Sequence, residues 1–192
     1  EKSTIANQEY FLIVMENLMG NNNKTLDYKL KRKNAIISLA NLAENFQRML
    51  SDPKNQQERL EYVHQFVNTS HLVLAYTASL SQYSQSQKLF NNIDFNQWKE
   101  KILEHFSEIN HIFLTKTSKQ NSAKIVEDPQ SHLENLLKIR KSELEENEFF
   151  DKRDITKISM LAELNNITEL LELISEVLTE QERITTQYCK LI

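Results

Sequence analysis

Residues 27–53 read DYKLKRKNAIISLANLAENFQRMLSDP, and this stretch decides the fold class. Leu39, Leu42, Ala43, Phe46, Met49 and Leu50 recur at three- and four-residue steps, which places them on one stripe of an α-helix. Asn34, Asn41, Glu44, Asn45, Gln47 and Arg48 fill the gaps. Asn23 or Thr25 can cap the start by accepting from free first-turn N–H groups. Ser51-Asp52-Pro53 ends the run, since proline lacks the N–H a helix needs and pushes the preceding residue toward extended geometry. The remaining helices are expected to be arranged so as to cover this face.

Composition agrees with an all-helical reading. The 192 residues suffice for one domain with a real core. They contain one Gly and two Pro, against an average Gly usage of roughly 7%, so few tight turns are available for sheets. Working outward from 27–53, helix one is expected over Lys2–Met19, with Ile5, Leu12, Met15 and Met19 on its apolar side and a stop at Gly20. Helix three should run from about Gln56 to Lys88 along Leu60, Val63, Val67, Ser70, Leu74, Thr77 and Leu80. At 1.5 Å per residue that is roughly 45–50 Å, with a polar second half prone to fray or bend. Helix four opens at an Asp94 or Asn96 cap and carries Trp98, Ile102, Phe106, Ile109 and Phe113. Residues 116–130 lose periodicity and read as an exposed loop.

Helix five starts at Ser131 with Glu134 three residues on, a capping-box spacing, and continues to Leu144. A charged break holding Phe149-Phe150 follows, and helix six covers Asp154–Lys190 along Ile158, Leu161, Ile167, Leu170, Leu171, Ile174, Leu178, Ile184 and Tyr188. The expected fold is all-α: an elongated antiparallel bundle of about six helices, two of them long, in a single domain over 1–192.

The net charge of −4 argues against general nucleic-acid binding. Residues 143–182 hold twelve acids against Lys152, Arg153 and Lys157, a local balance of −9, so the rest of the chain sums to +5. Such charge is usually a solvated face. No apolar run approaches the ~18–20 residues that span a bilayer, and Phe11 to Met15 is the longest obvious one. There is no signal-peptide pattern and no initiator Met, and the expectation is an excised fragment of a longer protein. Cys189 is the only cysteine and forms no intrachain disulfide.

No catalytic constellation stands out. Glu61-x-x-His64 and Glu108-x-x-His111 match the pairs of di-iron helical bundles, with Glu44 and Glu163 as further carboxylates. With 21 Glu in the chain such pairs arise by chance, and they sit beside the apolar stripes. His64 and His71 share a face but have no ligand-like spacing, nor do His105 and His132. No catalytic, cofactor-binding or metal-binding residue is assigned, and no cofactor is expected. Lys29, Lys31, Arg32 and Lys33 form a basic helix start, which is mildly unfavourable against the helix dipole. They are candidates for contact with anionic lipid head groups or an acidic partner.

The order DYKLKRKNA, LxxLAxxFxxML, SDP resembles the soluble region of fusaric-acid-resistance-type (FUSC, YccS-like) inner-membrane proteins, the aromatic acid exporter family. The matching positions are Tyr28, Arg32, Lys33, Ala35, Asp52 and Pro53, over about 60 residues from Asp27 to Gln87. Lys29 and Lys31 widen the basic cluster beyond the family pattern. The resemblance implies a non-catalytic region on the cytoplasmic face of a bacterial inner membrane. Efflux of aromatic or other organic acids would belong to the whole protein, and this region would serve assembly or regulation. Implied partners are the transmembrane part of the same chain, further copies and anionic lipid. The alternative is a free-standing helical adaptor or a ferritin-like metal-carboxylate enzyme.

Overall fold

Low glycine and unbroken three- and four-residue apolar spacing leave the chain little choice but helices that bury one another's stripes. The computed structural model describes residues 1–20, 25–51, 59–84, 95–117, 138 and 155–190, with side chains of the last stretch described from 162 onward. All helices and no strands are found among the described residues. The helices are α1 (Lys2–Leu18), α2 (Thr25–Leu50), α3 (Leu60–Leu80), α4 (Asn96–Thr115) and α5 (Ile155–Lys190). The expected helix over 131–144, apart from Lys138, the loop 118–130 and the break with Phe149-Phe150 lie outside the described residues.

The organising element is α1, not α2. Tyr10, Phe11, Val14 and Met15 are fully enclosed, and Ser3, Thr4 and Asn7 are buried with them. The helix packs against α2, α3 and α4 at once, so a single-stripe reading of it fails: Ile5 is 41% exposed and Leu12 half-buried. By contrast α2 buries only Ala35, Leu39 and Phe46, and Leu50 of its expected stripe is 43% exposed. It lies on the flank, against α1 and α3.

On the other side, α5 packs on α3 and α4. Ile167, Leu171, Ile174, Leu178 and Ile184 are all buried, as their spacing requires. The α4 stripe Trp98, Ile102, Phe106 and Ile109 is buried too, with Ile112 enclosed where Phe113 was expected. One apolar cluster draws on all five helices.

Helix ends depart from the expected caps. Gly20 stops α1 with φ 98°, a left-handed geometry that costs a residue without Cβ little. Thr25 begins α2 as a helical residue, and Asn23 lies outside the described residues. Phe95, not Asp94 or Asn96, precedes α4, and its ring is buried instead of capping. Arg59 in a left-handed conformation (φ 69°) leads into α3, which has 21 residues among those described, with a tighter 3₁₀ turn at 81–84. Its length is therefore about 30 Å at 1.5 Å per residue.

Candidate functional site: the outer face of α2

Three inward contacts fix how α2 sits. Ala35 is fully buried in the shared apolar cluster, where a larger side chain would have to displace its neighbours. The Tyr28 hydroxyl lies 3.3 Å from that of Tyr10 and donates to Ser81 Oγ at 3.1 Å, tying α2 to α1 and to the end of α3. The two rings are tilted at 5.8 Å. Burial, reinforced by the Tyr28 hydroxyl, pushes the Tyr10 phenol well above its ordinary range, so it stays protonated.

With Tyr28, Ala35, Leu39 and Phe46 inward, the opposite side of a 3.6-residue helix carries Leu26, Leu30, Lys33 and Ile37. Leu26 is 74% exposed, Leu30 51% and Ile37 46%, and Ile36 on the flank is 48% exposed. Lys29 and Lys33 are exposed beside them, and Arg32, also exposed, stands about 40° from the inward axis at the edge nearest Tyr10. Residues 28–43 contain four cations and no acid. The expected quartet is split, because Lys31 turns toward α1 and pairs with Glu9 at 2.9 Å. Of the family-motif positions, Tyr28 and Ala35 are structural, Lys33 faces outward, Arg32 is exposed but stands on the side of Tyr28 with its charge acting on the Tyr10 phenol, and Asp52 and Pro53 lie outside the described residues.

The di-iron candidates do not converge. Glu61 accepts from Gln65, exposed His64 stacks on Phe46 and bonds Asn68, and Glu44 pairs with Arg48. His111 bonds Thr115 on its own helix, and α3 and α4 each pack on α5 in preference to each other. Among the described residues no group of three His, Cys, Asp or Glu is placed to hold a metal. His71 is exposed. Cys189 is buried against the Ile112 carbonyl, and burial raises its thiol above the ordinary range.

The arrangement sequence spacing missed involves His105. Its Nδ1 lies 2.6 Å from Glu182 Oε1 and its Nε2 3.4 Å from Ser175 Oγ. With the proton assigned to Nδ1, the ring donates to the carboxylate and accepts from the serine. That is the order of a hydrolytic relay. However, Ser175 is 6% exposed and sits mid-helix, where backbone N–H groups are spent on the helical ladder and leave none to hold an oxyanion. The triad therefore clasps α4 to α5. Ser175 and Glu182 are seven residues apart, two turns of one face, but their partner lies 70 or more positions away and no local pattern announces it.

A second buried polar layer joins α1, α3 and α5. Gln181 donates to Ser70 Oγ at 2.7 Å, Ser70 Oγ donates to the Phe66 carbonyl, and Asn7 donates to the Ser70 carbonyl at 3.3 Å. No helix among the described residues is long and apolar enough to cross a membrane. Comparison with protein-family models, curated proteins and solved structures gave no match.

Proposed function

We propose that the chain is a non-catalytic helical module of an exporter-like inner-membrane protein, which lies against an anionic membrane surface through the outer face of α2. The observation that carries this is the ridge of exposed Leu26, Leu30, Ile36 and Ile37 interleaved with Lys29 and Lys33, with Arg32 exposed at its edge. Aliphatic groups that reach the acyl boundary beside cations at head-group level are what an interfacial helix needs. The excess of cations over acid along residues 26–37, four against the single Asp27, supports an anionic partner. A second copy meeting the same ridge across a twofold axis would set cations against cations.

The family resemblance supplies the rest of the reading: the cytoplasmic side of a bacterial inner membrane, the same chain's transmembrane part and further copies as partners, and a role in assembly or regulation of organic-acid efflux. We infer also that the helix over 131–144 completes an elongated antiparallel bundle of about six helices, two of them long. The alternative is a free-standing helical adaptor; the metal-enzyme reading has less support, since no group of three His, Cys, Asp or Glu is placed to hold a metal among the described residues.

Vesicle co-sedimentation tests the membrane contact. Each cation near an anionic leaflet contributes about 1 kcal/mol, so Lys29, Arg32 and Lys33→Ala together should weaken binding by about 3 kcal/mol, on the order of a hundredfold. Lys31→Ala should do less, because Lys31 is engaged with Glu9. Equal sedimentation with zwitterionic and anionic vesicles, or a triple variant that binds like the parent, rejects the proposal.

A further inference from the structure

Four of the five helices close a ring without α2. Helix α1 packs on α3 and α4, and α5 packs on the same two, so each of the four meets two others. Both polar layers stay inside this ring. Asn7, Ser70 and Gln181 join α1, α3 and α5, and His105, Ser175 and Glu182 join α4 to α5. Helix α2 lies outside it, against α1 and α3. Of its 26 residues only Ala35, Leu39 and Phe46 are buried, whereas α1 buries ten of 17.

Several of the ties that hold α2 down reach water. Lys31 and Glu9 keep side chains 35% and 42% exposed, and an ion pair so placed contributes little. Phe46 stacks at 5.4 Å on His64, which is itself exposed. Along the second half of α2 a half-open cavity of about 220 Å³ lies between Phe46 and Met49 and the rings of Tyr62, Phe66, Phe113 and Tyr188. Leu42 and Met49 stay half-buried there. The first half is held through the Tyr28 hydroxyl, which donates to Ser81 Oγ. Elements with few buried apolar contacts open first, in cooperative units that follow secondary structure. We propose that α2 is a strap that lifts as one unit from a four-helix core that stays folded, with the Tyr28–Ser81 hydrogen bond as its latch. Lifting uncovers Leu39 and Phe46 together with the α1–α3 seam beneath them, so the strap governs access to that apolar surface. The inference does not rest on the membrane contact, and its test uses no lipid.

Native-state hydrogen exchange by NMR in low urea tests this. Amides of residues 35–43, away from both ends of α2, should exchange at least about tenfold faster than the slowest amides of α1 and α5, with a shared urea dependence smaller than that of global unfolding. Ile102→Val trims a buried side chain of α4, which packs on α1 and α5. It weakens only the core, so it should speed the slowest amides of α1 and α5 by about two- to tenfold and leave residues 35–43 unchanged. Tyr28→Phe removes the latch and should speed both sets by a similar factor, about two- to tenfold, because that bond is lost in either opening. The strap is overturned if residues 35–43 exchange as slowly as the core with its full urea dependence, or accelerate together with the core in Ile102→Val. Unchanged exchange at residues 35–43 in Tyr28→Phe overturns the latch.

Discussion

Replacing Phe11 by Ala tests the claim that α1, and not α2, is the centre of the molecule. The Phe11 ring is fully enclosed and lies 6.2 Å from the Phe106 ring of α4. Removing a buried ring forfeits roughly 1.5–3 kcal/mol of transfer free energy. The space left behind is on the order of 100 Å³, and at about 24 cal/mol per Å³ it adds up to ~2 kcal/mol if neighbours do not collapse into it. The expected loss is therefore about 3–5 kcal/mol, at least a fifth of the 5–15 kcal/mol that typical domains possess. Ile37→Ala on the outer ridge of α2, 46% exposed, should change stability by no more than about 0.5 kcal/mol. Urea unfolding of the two variants beside the parent gives both numbers from the midpoints, provided the slope is unchanged. A Phe11→Ala loss below about 1.5 kcal/mol, or an Ile37→Ala loss as large as that of Phe11→Ala, would refute the assignment of α1 to the core.

Three further outcomes are expected. Ala35→Leu forces a larger side chain into the buried cluster and should cost about 1–3 kcal/mol in urea unfolding, whereas exposed Ala40→Leu should be near neutral. Gln181→Ala takes a donor from Ser70 in a buried layer and should cost about 1–3 kcal/mol, with Gln181→Met, which refills the volume, losing less. The Cys189 thiol is raised by burial, so the native state favours its protonated form. Its contribution to stability is complete below the ordinary thiol value of about 8.5 and is lost as pH rises through the raised native value. Thiol labelling near pH 8 should accordingly be slow in the folded protein and fast in urea, and equal rates would count against the burial of Cys189.

The helical class and the α4 and α5 stripes were legible because those helices are buried on one side only, and one-sided burial writes a 3.6-residue period into sequence. The α1 stripe was not. A helix enclosed by three neighbours has little period to show, and Ser3, Thr4 and Asn7 are buried where polarity suggested solvent. The α2 face misled in the other direction. Of its expected stripe Leu39 and Phe46 are buried and Leu42 packs on the core, but Leu50 is exposed, and so are Leu26, Leu30, Ile36 and Ile37, which the stripe did not include. The basic cluster of the candidate site could be read directly from residues 29–33, whereas the withdrawal of Lys31 depends on Glu9 of another helix. The gathering of Phe46, Tyr62, Phe66, Phe113 and Tyr188 around one cavity was invisible, because these rings come from four helices and each looks locally like ordinary packing.

The seating of α2 by Tyr28 and Ala35 governs what any approaching surface meets. A roll of about 100°, one residue along the helix, would carry Lys29 and Ile36 inward and change the comb of cations and aliphatics on display. The Tyr28–Ser81 link and the close fit at Ala35 oppose such a roll. Under the proposed membrane contact, changes hidden at Tyr10, Tyr28 or Ser81 should therefore register as altered vesicle binding, without touching any residue of the outer face.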